Sequence, residues 1–181
     1  MSTLSSALLS LPAPSVTLAI GGLTTSYVFF ANVAEYQRGL IPYLNSRLTP
    51  VQLNDKGRAQ LWKAYFDNAA TWVVGLSLAS AGLNLTTSYL HRSPLISRLT
   101  LVSGITSLLI LPITVISGLL PVNARLHELA EDGGKAGTSA KEDEAKLLII
   151  AWETKHLRRI PVYGVAWCLS ALAILLDGRA Y

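Results

Sequence analysis

Four stretches of the chain carry no Asp, Glu, Lys or Arg: Met1–Ala34, Asn68–Leu90, Leu99–Asn123 and Ile160–Leu176. Each is mostly apolar, and even the shortest, at 17 residues, can cross a hydrocarbon core at the helical rise per residue. The pattern predicts four membrane-spanning helices at about 14–33, 69–90, 97–120 and 160–177. A soluble helical bundle would carry a charged face on each helix, and these stretches have none. The expected fold is an all-α integral membrane four-helix bundle, one domain over residues 1–181, with helical extensions on the cytoplasmic side.

Between and within the spans, small and helix-breaking residues mark packing faces and ends. Ala19, Gly21, Gly22 and Thr24-Thr25-Ser26 let span one approach its neighbours closely, and Gly39, Pro42 and Asn45 end that helix. Thr49-Pro50 reads as a cap and first turn. An amphipathic helix then leads through Asp67 into span two, where Gly75/Ala79 or Ser77/Ala81 offers small-residue spacing. Pro112 predicts a kink in span three, which Pro121 closes before helix resumes through Asn123 to Glu128. Asp132 to Thr138 reads as a linker, and Ser139-Ala140-Lys141-Glu142 as a capping box. From there a helix is expected to run across Pro161 into span four.

Composition agrees with a membrane protein: 51% hydrophobic, 14% charged, mean hydropathy +0.41. The net charge of +4 needs no nucleic-acid partner, because the basic residues follow topology. Five lie between spans one and two, seven between spans three and four, and only Arg92, Arg98 and Arg179 elsewhere. This bias predicts cytoplasmic long loops and both termini on the opposite, lumenal side. The first apolar run lacks a basic leader and is expected to remain a span. Cys168 is the one cysteine, so no intrachain disulfide can form and no CxxC or metal-thiolate motif exists. The sequon Asn84-Leu85-Thr86 falls within a span.

Candidate chemistry gathers where span four begins. Trp152, His156 and Arg159 stand at i, i+4 and i+7, on the helical stripe that also carries Ala145, Leu148, Ile149 and Tyr163. A neutral imidazole can take a proton near neutral pH, while an adjacent guanidinium disfavours the imidazolium and can stabilise an anion. The Asn123 amide can hydrogen-bond a developing oxyanion, and Trp152 can stack on a flat apolar substrate. Trp62 and Tyr65 read as interface anchors or pocket walls. Glu153-Thr154-Lys155-His156 has one Glu-x-x-His spacing and His127 lies near several carboxylates, but a di-iron bundle needs two such motifs plus further carboxylates. No metal is therefore expected. No nucleophile elbow or metalloprotease motif occurs. Spacing alone favours an interfacial role for the stripe, with Arg159 snorkelling to headgroups.

Trp-xxx-His-xx-Arg opening the last span and Pro121-Val122-Asn123-Ala124-Arg125-Leu126 closing the third resemble the fungal anthrone oxygenase family. Gly39-Leu40-Ile41-Pro42 and Leu61-Trp62-Lys63-Ala64-Tyr65 add to the likeness, although Asp67-Asn68 stands where the family often has a glycine. The resemblance implies a four-span endomembrane enzyme, of the endoplasmic reticulum or a related organelle, in polyketide secondary metabolism. It would oxidise an anthrone to its quinone with O2 as co-substrate and no other cofactor. It also brings the catalytic reading forward, with His156 as base, Arg159 and Asn123 as anion clamp and Trp152 as stacking wall. Trp62, Tyr65, Tyr163 and Pro42 stand as candidate substrate contacts. The expected partners are a hydrophobic aromatic molecule and the bilayer, with homo-oligomerisation left open. Another oxidation or rearrangement of a fungal natural product on the same scaffold, or a non-catalytic membrane small-molecule-binding or assembly protein, is the alternative.

Overall fold

The computed structural model describes residues 10–132 and 143–178. Among them are eight helices and no strand: α1 (Ala13–Arg38), α2 (Leu40–Leu44), α3 (Asp55–Leu90), α4 (Pro94–Leu108), α5 (Ile110–Ile116), α6 (Leu119–Asp132), α7 (Glu144–Leu157) and α8 (Ile160–Asp177). Four stretches are long and apolar enough to cross a membrane: Ala13–Leu44, Asp55–Leu90, Pro94–Ile116 and Glu144–Asp177. The all-α, four-span architecture expected from the charge-free runs is the one observed.

Several helix ends differ from expectation, each for a local reason. The helix expected from Pro50 begins at Asp55, where Asn54 Oδ1 accepts the Gly57 N–H at 2.8 Å as an N-cap. The residues before it stay irregular because Arg58, itself buried, donates to the carbonyls of Leu44, Val51 and Leu53. A helix there would use those carbonyls internally. Span three breaks at Leu109, three residues before Pro112, whose missing N–H leaves an unfilled place in the ladder. It ends at Ile116 rather than Leu120, because Gly118 turns the chain at φ +68°. Pro121 therefore sits in the first turn of α6, where no N–H is needed. The helix into span four is likewise interrupted at Arg158 and Arg159, just ahead of Pro161. The proposed capping box and most of the linker before it lie outside the described residues.

The described residues form two compact units. One comprises 10–29, 75–109 and 162–178 and is a four-helix bundle of the first part of α1, the last part of α3, α4 and α8. Small polar residues line its interior. Ser170 Oγ donates to Asn84 Oδ1 at 2.8 Å, Ser103 Oγ lies 3.0 Å from Ser170 Oγ, and Thr87 Oγ1 lies 2.8 Å from Thr17 Oγ1. Such bonds hold helices together in lipid, where no hydrophobic force does so. Of the two small-residue pairs on α3, Ser77 and Ala81 are buried, while a Cβ on Gly75 would meet nothing within 4 Å. At Gly104 two helix backbones come close: a Cβ there would stand 3.1 Å from the Ala81 carbonyl and 2.9 Å from Leu85. The sequon asparagine, Asn84, is fully buried in this interior. At one end His91 Nε2 and Ser15 Oγ each contact Asp177 at 2.8 Å.

The second unit comprises 30–74, 110–132 and 143–161. Its core is built from large side chains: Ile41, Leu44, Trp62, Leu119, Val122, Leu126, Ile149 and Trp152. Trp62 stacks on Phe66 at 4.7 Å and meets Trp152 edge-on at 6.2 Å. Ala145, Ile149 and Trp152 are the buried positions of α7, the first half of the predicted stripe. Polar ties fix α7 from several sides. Arg125 forks onto Glu144 at 2.8 and 3.1 Å, and Asn45 and Arg47 hold Glu153 at 2.6 and 3.0 Å. Lys155 Nζ donates to the Gly118 carbonyl at 2.8 Å.

Candidate active site

The last turn of α7 presents two rings as a pair. Trp152 and His156, one turn apart, stack with centroids 4.7 Å apart and planes 10° from parallel. His156 Nε2 lies 2.9 Å from Asn32 Oδ1 on α1. A carbonyl oxygen accepts, so the neutral ring carries its hydrogen on Nε2 and its lone pair on Nδ1. Nδ1 is buried and has no hydrogen-bond partner among the described residues. Arg159 follows in the turn that Pro161 imposes, its peptide N–H bonded to the His156 carbonyl at 2.9 Å.

These groups line a cavity of about 320 Å³ within the second unit. That volume lies at the lower end of the range for small-molecule sites, about 300–1,000 Å³. One wall is aromatic, from Tyr65, Phe66 and Trp152. Another is aliphatic, from Ala69, Ala70, Val73 and Val74 of α3 with Leu111 and Val115 of α5. Asn32, Asn123, His156 and Arg159 supply most of the polar lining, together with Thr114. The Asn123 Oδ1 and Trp152 Nε1 atoms are also buried without a partner among the described residues, as is Trp62 Nε1 in the core nearby. The cavity's most exposed residues are apolar: Val115 at 61%, Leu120 at 52% and Leu111 at 46%. The opening is thus greasy and the inner end polar.

Several charged groups elsewhere in this unit are committed to other side chains. Lys63 Nζ lies 3.1 Å from His127 Nδ1 and 3.2 Å from Asp67. Glu153, the carboxylate of the Glu-x-x-His spacing, is taken by Asn45 and Arg47. The Glu144 and then the Glu128 carboxylates raise Arg125 above its ordinary value, so it remains a cation that fastens α6 to α7. Among the described residues no group of three His, Cys, Asp or Glu side chains is placed to hold a metal ion.

A family model described as anthrone oxygenase matches residues 62–169, more than half of the chain. The chain belongs to the anthrone oxygenase family. No curated protein and no solved structure matches it. The family match runs from Trp62 in α3 to Leu169 within α8, so it includes Tyr65, Asn123, Trp152, His156 and Arg159. Asn32 lies outside the matched segment.

Of the residues singled out from sequence, this anthrone oxygenase family member brings His156, Arg159, Asn123, Trp152 and Tyr65 to one cavity. Three others lie elsewhere. Trp62 is fully buried beneath Phe66. Pro42 is buried in α2, its carbonyl accepting the N–H groups of Arg47 and Leu48. Tyr163 lies past the break at Arg159 and lines a cavity of about 10 Å³ in the four-helix unit. Phe66 and Asn32 join the cavity without having been singled out. Phe66 follows Tyr65 on the same helix face as Trp62, a spacing visible in sequence. Asn32 is a polar residue within an apolar span, and that was its one signal.

Proposed function

We propose that the protein converts an anthrone-type polycyclic aromatic polyketide to its quinone with O2, using no other cofactor. The observation that carries this reading is the pairing of the His156 Nδ1 lone pair, unmet by any donor among the described residues, with an aromatic-walled cavity that holds Arg159 and Asn123. The benzylic hydrogens of an anthrone are acidic because the carbanion left behind is delocalised over the phenolic ring system. Nδ1 would take one of them as general base. Arg159 and the Asn123 amide would carry the charge that develops on the substrate oxygen. Trp152, Phe66 and Tyr65 would hold the flat body in a site from which water is excluded.

The electron-rich anion then passes an electron to O2, and recombination forms a carbon–oxygen bond at the same carbon. Loss of water from the resulting peroxide leaves the quinone carbonyl. One oxygen atom stays in the product, and the other leaves as water with the two benzylic hydrogens. The charge bias of the chain supports an orientation with the long loops in the cytoplasm.

The test is oxygen uptake and quinone absorbance with detergent-solubilised protein and a hydroxylated anthrone such as emodin anthrone, measured against the spontaneous rate. Acceleration is expected; no acceleration with several anthrones would remove the reading. A chelator should leave the rate unchanged, and a loss restored by iron or copper would overturn the cofactor-free step.

A further inference from the structure

We propose that Asn32 is the positioning residue of His156: its side-chain oxygen selects the tautomer with hydrogen on Nε2 and so makes Nδ1 the basic nitrogen. The catalytic consequence rests on the base role of His156 given above, whereas the tautomer can be read without any turnover.

The two tautomers of a neutral imidazole are close in energy, so a single well-placed partner decides between them. Asn32 is 4% exposed and reaches His156 across 124 residues of sequence at 2.9 Å. With hydrogen on Nε2 the contact is a good N–H···O bond. With hydrogen on Nδ1, two lone pairs would face each other there. The buried Nδ1 would also hold a donor with no acceptor among the described residues. A buried orphan donor is the rarer and costlier defect, while an unmet lone pair is tolerated. Both effects point the same way.

Trp152 lies on the ring face and Asn32 at its Nε2 edge, so plane and rotation are fixed together. The choice of an amide also has a physical reason. A carboxylate at this place would put an ionised group inside span one and attract a second proton to the ring. The amide oxygen accepts a hydrogen bond without adding charge.

The decisive experiment is ¹⁵N NMR of histidine-labelled protein in detergent or nanodiscs. The chain has three histidines, and loss of signals in His156→Gln identifies those of His156. The expected wild-type spectrum shows a protonated Nε2 and an unprotonated Nδ1. Asn32→Leu should lose that preference, while Asn32→Gln, which keeps a neutral amide acceptor, should retain it. A wild-type ring protonated on Nδ1, or an unchanged tautomer in Asn32→Leu with helical content preserved, overturns the proposal. If Asn32→Leu does not fold, Asn32→Ala replaces it under the same criterion.

In turnover, Asn32→Leu should lower kcat by at least about tenfold with little change in KM, because a misplaced base binds substrate but reacts slowly. Asn32→Gln should recover part of that loss. A purely structural role would instead lower both variants alike. Should the tautomer behave as expected while no anthrone is oxidised, the base assignment of His156 fails and the hold of Asn32 on the ring stands.

Discussion

In the four-helix unit the buried polar groups are small and meet one another: Ser170 with Asn84, Ser103 with the Ala166 carbonyl, Thr87 with Thr17. In the other unit the buried polar atoms at the cavity, Asn123 Oδ1, His156 Nδ1 and Trp152 Nε1, meet nothing among the described residues. Space follows the same division. Hydroxyl and glycine positions let backbones close up, and the cavity among them is about 10 Å³. Flat aromatic rings stacked and crossed at 4.7 to 6.4 Å cannot fill every gap, and the cavity beside them is about 320 Å³. Unsatisfied polar atoms are costly in a closed core, and beside an open cavity they mark where a ligand is to be met. One region meets most of its buried polar groups with one another, and the other leaves several at a cavity.

This contrast can be broken by substitutions that move rate and stability separately. The largest effect is expected at His156→Ala, which should lower anthrone turnover by about two to four orders of magnitude, far beyond what the accompanying loss of stability accounts for. An unaltered rate would move the base elsewhere. Next is Trp62→Ala, which removes a fully buried ring from the core under the cavity. It should destabilise by about 3–5 kcal/mol, read by thermal or denaturant unfolding, and a small loss would show that the core can collapse around the gap. Gly104→Val should cost about 1–3 kcal/mol by forcing α4 away from the Ala81 carbonyl, with kcat of the surviving folded fraction intact. Smallest is Ser170→Ala, at about 0.6–1.7 kcal/mol and no change in turnover. A large rate effect from either of the last two would blur the division between a packed region and a reactive one.

The spans were legible because an ion in hydrocarbon is expensive, so their charge-free runs needed no structure to be seen. The stripe was legible because helical period is geometric, and Trp152 and His156 do stack. What failed were the places where backbone is decided by distant partners. Arg58 holds the irregular segment before α3, which makes Thr49-Pro50 look like a helix start when it is not. The helix breaks at Arg158 and Arg159, so the unbroken period that put Tyr163 on the stripe does not hold. Trp62 reads as an anchor because aromatic residues near a span end are usually interfacial, yet it is the centre of a core. Asn32 escaped notice because its partner lies 124 residues away, and a lone asparagine in an apolar run does not say what it faces.

The cavity's exposed rim, Leu111, Val115 and Leu120, has a kinetic meaning. Leu111 and Val115 belong to a stretch long and apolar enough to lie in a bilayer, so a greasy molecule dissolved there meets the opening without returning to water. Under the proposed function, what would govern occupancy is the mole fraction of that molecule in the lipid rather than its molarity in the tube. Added lipid acts as a diluent: at a fixed total amount of substrate, each increment of empty bilayer thins the supply at the rim.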